Sequence, residues 1–256
     1  MAPRQRITRF VHQGEDTSRI KGLSDGLFAV VLTLLVLELK PPDGLSEGGR
    51  IDVTAYLVGL WPELFSFLLT FLVGGIYWIA HHWDLEHIVV YNRRLLWINL
   101  MFLLAVSLLP FTTALLDDGP DSAVWSLYSA NMALIGLTLM ALWGYAVSSR
   151  FIDPNLDDGF ARYMVLFHLL NPMVFLLSMV VAQFSPGLAP YLLLLIPVLR
   201  FLWPRVFLGP EPPTDRGTAG RRQGATWQMT VWTVVAYSPV VVFVLWSLWL
   251  WLNGKL

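Results

Sequence analysis

The sequence predicts an all-α, polytopic membrane protein: a six-helix transmembrane bundle with a seventh helix near the C-terminus. Apolar residues make up 56% of the 256 residues and charged residues only 14%, whereas soluble domains average about 45–50% and about 25%. Apolar runs of membrane-spanning length, which is about 20 residues, recur along the chain. The polar clusters between them are too short to form a sizeable soluble domain, so we expect one helical domain.

Length and apolar continuity place the membrane helices at about 22–40, 55–80, 93–116, 122–148, 160–184, 187–204 and 227–252. Clusters of Pro, Gly and Asp interrupt the runs, because these residues end helices or favour turns. Four segments follow: a polar N-terminal segment (1–21), a six-helix domain (22–204), a basic linker (205–226) and the additional helix (227–252).

The distribution of Lys and Arg predicts the orientation. If the N-terminus is cytoplasmic, all of the 17 basic residues except Lys40, Arg50 and Lys255 fall on the cytoplasmic side. Cytoplasmic loops retain positive charge, so we expect a multi-pass protein of the cell membrane with its N-terminus and its basic linker in the cytoplasm.

Composition and motifs argue against several functions. A net charge of −1 does not suit a nucleic-acid partner, which calls for a concentrated basic face. The absence of cysteine removes thiolate metal sites and thiol nucleophiles. His81 and His82 are adjacent, so their side chains leave a helix about 100° apart and match no helical zinc motif. We expect neither an enzyme nor a resident metal or cofactor.

Polar residues at membrane depth are candidates for function, because burying them is costly. For Asn99, Asn131 and Asn171, a structural hydrogen bond between helices is the favoured interpretation. Glu63 and the pair Asn171-Pro172, which could break a helix, are the material available for a coupled transporter.

The first predicted helix carries a stripe of small or apolar residues with one hydroxyl. Gly26, Val30, Thr33 and Leu37 fall within about 60° of one another at 100° per residue. Four such helices around an axis would enclose a narrow hydrophobic tube with one polar ring. A stripe facing lipid or the core explains the same pattern and is favoured on composition alone.

Four blocks of sequence resemble one family. RIKGLSD (19–25) resembles the RxxxFSD signature of the lysosomal and bacterial TMEM175-type potassium channels, with Leu23 in place of the usual Phe. The other blocks are LLVLELKPP (34–42), YWIAHHWDLEHI (77–88) and LLWINLMFLLAVSLLPFTTALL (95–116), and the resemblance covers roughly residues 17–204.

The resemblance implies a homotetramer in a lipid bilayer that passes K⁺ and other monovalent cations, with K⁺ preferred over Na⁺ and with the first helix lining the pore. It places a hydrophobic constriction at Val30, where Ile or Leu is usual, a hydroxyl ring at Thr33 and a further ring at Leu37. The chain contains no TVGYG segment, so the carbonyl filter of other potassium channels is not expected.

The resemblance also implies a polar network at the cytoplasmic end of the first helix. Its expected members are Arg19, Ser24, Asp25 and Asn99, with His81 or His82. A second interpretation is that Ser24 or Asp25 caps the helix N-terminus. At the level of function, a proton- or cation-coupled secondary transporter and a non-conducting membrane scaffold remain the alternatives to a channel.

Overall fold

The structure is a computed structural model that describes residues 12–13, 17–39, 59–118 and 121–207, with isolated positions at 56, 238, 241, 242 and 245. The helices in these ranges are α1 (Thr17–Leu34), α2 (Trp61–His87), α3 (Arg93–Ser107), α4 (Leu109–Ala114), α5 (Ser122–Ser148), α6 (Asp158–Ala182) and α7 (Leu195–Phe207). Short 3₁₀ helices follow α1 at Leu35–Glu38, follow α4 at Leu115–Asp118 and precede α7 at Ala189–Leu194. Strands β1 (His12–Gln13) and β2 (Val90–Tyr91) pair antiparallel.

The predicted all-α membrane fold is confirmed. In the described ranges, five helical segments are long and apolar enough to cross a membrane: α1 with its 3₁₀ turn, α2, α3 with α4, α5 and α6. The sixth predicted helix, 187–204, is present as a shorter apolar segment, Ala189–Arg200. The linker beyond residue 207 and the predicted helix 227–252, apart from isolated positions at 238, 241, 242 and 245, lie outside the described residues.

Side-chain caps set the start of three helices. Asn92 Oδ1 accepts a hydrogen bond from the Leu95 amide at 3.0 Å, and Asp157 accepts one from Phe160. Asp121 accepts from the amides of Ala123 and Val124. These short polar side chains satisfy amide groups that have no partner inside the helix. The cap at Asp121 places the start of α5 where the sequence predicts it.

Two predicted boundaries are wrong. Helix α1 starts at Thr17 instead of 22, so Ser24 and Asp25 lie about two turns inside it and cannot cap its N-terminus. Helix α2 runs from Trp61 to His87 instead of ending near residue 80. The polar segment after residue 80 stays helical because His81, Asp84 and Leu85 are buried against neighbouring helices.

The most extensive contact between helices joins α5 and α6. A Cβ atom at Gly136 of α5 would lie 2.7 Å from Cδ of Pro172 and 3.0 Å from the Tyr77 hydroxyl. Only glycine therefore admits the proline ring. Helix α6 continues through Pro172, so the break that the pair Asn171-Pro172 could cause does not form.

Arg200 of α7 lies inside the bundle rather than in a basic loop. Its Nε donates to Asn171 Oδ1 at 3.3 Å, and its guanidinium lies 4.2 Å from the centroid of the Phe167 ring. Asn171 thus makes the interhelical hydrogen bond that the sequence favours for it, between α6 and α7.

Candidate functional site

Helix α1 has one packed face and one bare face. The packed face consists of residues spaced three or four apart, which is the periodicity of a helix stripe: Ile20, Ser24, Phe28, Val31 and Leu35, all buried. The bare face carries Gly26, Val30 and Thr33, all exposed. Val30 is 57% exposed. The structure therefore brings three of the four predicted stripe residues together on a surface that the described part of the chain leaves open.

Leu37 departs from the stripe because it lies in the 3₁₀ turn. With three residues per turn instead of 3.6, its side chain is rotated by about 60° from the position that an α-helix would give it. Leu37 remains 70% exposed. It lies beyond Thr33 along the chain but does not continue the line of Val30 and Thr33.

The hydroxyl of Thr33 is directed by its own helix. Thr33 Oγ1 donates to the carbonyls of Ala29 and Val30, at 2.9 and 2.8 Å. The hydrogen is used within the helix, so the lone pairs of an exposed oxygen remain available to accept from water or to coordinate a cation. This side chain can present oxygen, and not a proton, to whatever occupies the bare face.

Ser24, Asn99 and His81 form a buried hydrogen-bonded chain across α1, α3 and α2. Asn99 Nδ2 donates to Ser24 Oγ at 3.4 Å, and His81 Nε2 lies 2.8 Å from Asn99 Oδ1. Because an amide oxygen only accepts, Nε2 of His81 carries the hydrogen. The imidazole stacks on Phe102 at 4.5 Å between ring centroids, which fixes its plane.

Asp25 has a different partner from Ser24. Trp78 Nε1 of α2 donates to Asp25 Oδ1 at 2.9 Å. One helix turn thus makes two polar contacts, one to α3 through Ser24 and one to α2 through Asp25. Together they fix the rotation of α1 about its axis, which determines the direction of the bare face.

The structure separates His81 from His82 and leaves Arg19 outside the buried chain. His82 pairs with Glu86 at 3.3 Å, and both side chains are largely exposed. Arg19 is exposed at the start of α1 and lines a surface groove with Asn99. Of these two histidines, His81 is the one that hydrogen-bonds Asn99.

Sequence reasoning missed one buried ionisable pair. His168 Nε2 of α6 lies 2.8 and 3.0 Å from the two carboxylate oxygens of Asp84 in α2. Both side chains are buried. The available signal was spacing: Asp84 follows His81 by three residues and Tyr77 by seven, so all three share a helix face. Because the predicted helix ends near residue 80, this helical spacing was not applied to His81 and Asp84.

Comparison with known proteins finds relatives that cover this region. The family model described as the endosomal/lysosomal potassium channel TMEM175 matches residues 19–110, which contain Arg19, both contacts of α1 and all of α3. A Streptomyces collinus protein named a potassium channel is 31% identical over 153 residues, covering 57% of this chain and 73% of the relative.

Two further likenesses extend over more of the chain. The crystal structure of a lysosomal potassium-selective channel TMEM175 homolog from Chamaesiphon minutus superposes with a TM-score of 0.60 at 26% identity, covering 69% of this chain and 92% of that one. The human protein named endosomal/lysosomal proton channel TMEM175 is 23% identical over 217 residues, 78% of this chain but 43% of the human protein. Taken with the coverage of the bacterial relative, these matches show that the chain belongs to the TMEM175 family of ion channels.

Proposed function

We propose that this protein is a potassium-selective channel of the cell membrane, a homotetramer in which α1 lines the pore and the N-terminus is cytoplasmic. The observation that carries the proposal is the bare face of α1. Only 28% of the most apolar window of α1 is buried, against 44 to 50% in the other four spans. Membership of a channel family, together with the name of the bacterial relative, supports the interpretation that this face lines an ion path.

Small residues on α1 support assembly of several copies around it. A Cβ atom added at Gly22 or Gly26 would meet nothing within 4 Å among the described residues. The close helix approach that glycine permits in membranes is therefore not used between α1 and the other described helices. In the proposed tetramer these positions face the axis or a neighbouring subunit, where neighbouring backbones come close together.

The proposed selectivity mechanism combines a constriction with an oxygen ring. Four Val30 side chains form a hydrophobic ring that strips water from a passing ion and closes by dewetting. Na⁺ holds its water more strongly than K⁺, so partial dehydration costs Na⁺ more. The Thr33 hydroxyl oxygens, one turn deeper, replace part of the water that K⁺ loses.

The buried chain of Ser24, Asn99 and His81 has a positioning role in this proposal. It fixes the rotation of α1, together with the contact of Asp25 with Trp78. A rotation of α1 by one residue, about 100°, would remove Val30 from the axis. These polar residues act on conduction through the orientation of α1 and do not contact the ion.

Reversal potentials measured with K⁺ on one side of a bilayer and Na⁺ on the other test the selectivity. Purified protein should give currents that reverse toward the K⁺ equilibrium potential. Thr33→Ala and Val30→Asn should each shift that potential toward zero. Thr138→Ala is the matched control, because Thr138 of α5 also donates to its own helix, to the carbonyls of Leu134 and Ile135. Unchanged selectivity in both α1 variants would contradict the mechanism.

Proton movement is the second candidate, since the human relative is named a proton channel. Purified protein reconstituted in liposomes, with a pH gradient and without K⁺ or Na⁺, allows proton flux to be measured directly. Proton flux exceeding K⁺ flux under equal driving force would favour this candidate. Single-channel current steps would exclude a coupled carrier, and the absence of any flux from purified protein would favour the scaffold.

A further inference from the structure

A groove between α1 and α3 lies at the end of the bundle where both helices begin. Its cavity has a volume of about 320 Å³ and is lined by Arg19, Ile20, Leu23, Tyr91, Leu96, Asn99 and Leu100. The walls are mostly apolar, and Leu23 and Leu100 are 55% and 41% exposed. The groove therefore has a basic end and apolar walls. The proposed ion path does not explain this combination, because it uses the face of α1 that carries Val30 and Thr33.

Positive charge is concentrated at the mouth of the groove. Arg19 is exposed at the first turn of α1, and Arg93 is exposed at the first residue of α3. Arg93 precedes Leu96 by three residues and Leu100 by seven, so it lies on the helix face that lines the groove. Asp25, the carboxylate of α1, accepts a hydrogen bond from Trp78 of α2, and the ion pairs of the described residues do not include Arg19.

The position of these groups matches the layers of a bilayer leaflet. Arg19 and Arg93 lie at the first turns of two membrane spans, Thr17–Glu38 and Arg93–Ala114, which is the level of lipid headgroups. The leucines lie one to two turns deeper, at the level of acyl chains. Anionic lipids of the cytoplasmic leaflet are attracted to basic residues at such positions.

We propose that the groove is a binding site for an anionic phospholipid, whose phosphate contacts Arg19 and Arg93 and whose acyl chain lies along Leu23, Leu96 and Leu100. The groove also borders Asn99, so an occupied groove stabilises the α3 side of the contact that orients α1. The proposal rests on the proposed function only for its cytoplasmic orientation. Its assay reads lipid contact and not ion flux, so either can fail alone.

Fluorescence quenching of a single label tests the site. The chain has no cysteine, so Leu100→Cys provides a unique attachment point for a bimane fluorophore in the groove. The full-length protein is reconstituted in phosphatidylcholine vesicles with equal mole fractions of either brominated phosphatidylglycerol or brominated phosphatidylcholine. Brominated phosphatidylglycerol should quench more strongly, and the derived preference should fall about fivefold for each of Arg19→Gln and Arg93→Gln.

Two further variants separate the site from general surface charge. Arg162→Gln removes an exposed arginine at the start of α6, at the same end of the bundle, and should leave the preference unchanged. Leu23→Phe keeps both arginines but fills the groove, and should reduce quenching by both lipids. Equal quenching by the two lipids in the parent protein overturns the proposal, as does an equal effect of Arg162→Gln. Weak quenching by both lipids in the parent protein also overturns it, because a second copy of the chain then covers the groove.

Discussion

Helices α5 and α6 pack on each other along most of their length, whereas α1 packs on one face and leaves the other bare. Half of the most apolar window is buried in both α5 and α6, and 28% in α1. The polar contacts differ in the same way. Ser178 of α6 makes two short hydrogen bonds, to Trp125 Nε1 at 2.8 Å and to the Ala189 carbonyl at 2.6 Å, while Ser24 of α1 makes one at 3.4 Å.

This difference shows which region is complete within one subunit. The α2–α5–α6 region satisfies its close contacts internally and should respond to substitution as a soluble core does. Helix α1 is held by a few contacts that fix its rotation, and among the described spans it has the smallest buried share of its apolar window. Stability should therefore depend on the first region, and function on the second.

The largest expected effect is on the buried pair of Asp84 and His168. Asp84→Leu leaves the imidazole buried without its partner, which should lower the free energy of unfolding in detergent by about 3–5 kcal/mol. Glu86→Leu is the matched control, because it removes the carboxylate of the exposed pair with His82 and should change stability by less than about 0.5 kcal/mol. Equal losses of unfolding free energy in the two variants would show that burial of the Asp84 pair does not contribute to stability.

The second largest expected loss of stability is at the close contact of α5 with α6. Gly136→Ala places a methyl group against the rigid Pro172 ring and should destabilise the protein by about 2 kcal/mol. Gly75→Ala on α2 is the control, since its Cβ would meet no described residue within 4 Å. That variant should be neutral or stabilising by up to about 1 kcal/mol, because alanine favours helix. Thermal unfolding of the two variants side by side measures the difference, and a Gly136→Ala protein as stable as the parent would contradict the packing.

The smallest expected effects compare two of the buried serines, Ser178 and Ser24, directly. Ser178→Ala leaves the Trp125 N–H and the Ala189 carbonyl without this partner and should cost about 1.5–2 kcal/mol. Ser24→Ala loses one long hydrogen bond and should cost less than about 1 kcal/mol. The same unfolding measurement ranks them, and a larger loss for Ser24→Ala would reverse the comparison between the regions.

Much of the fold follows from the sequence, because membrane length and polar caps are local signals. Helix α5 illustrates this, since Asp121 marks its start and Ser148 its end. The C-terminal end of α2 could not be predicted in this way. His81 and Asp84 look like loop residues in isolation, and they are helical because partners on α3 and α6 satisfy them.

The candidate site is likewise predictable from the sequence only in part. The bare face of α1 follows from helical periodicity as far as Thr33, but the tightening to a 3₁₀ turn that rotates Leu37 leaves no local signal. Which of His81 and His82 contacts Asn99 depends on how α2 is rotated about its axis relative to α3. That rotation is a tertiary property. Arg19 was expected in the polar network because of its motif, yet the described structure places it at a surface groove.

Thiol modification tests the central claim, that the bare face of α1 lines an aqueous ion path, most directly. Because the chain has no cysteine, Val30→Cys and Met173→Cys each introduce a single thiol, and the parent residues are similarly exposed, at 57% and 56%. A charged, water-soluble thiosulfonate added during K⁺ current recording should block the Val30→Cys channel and leave the Met173→Cys channel unchanged, since Met173 of α6 then faces lipid. Unaltered current through Val30→Cys after exposure, together with block of Met173→Cys, would contradict the account.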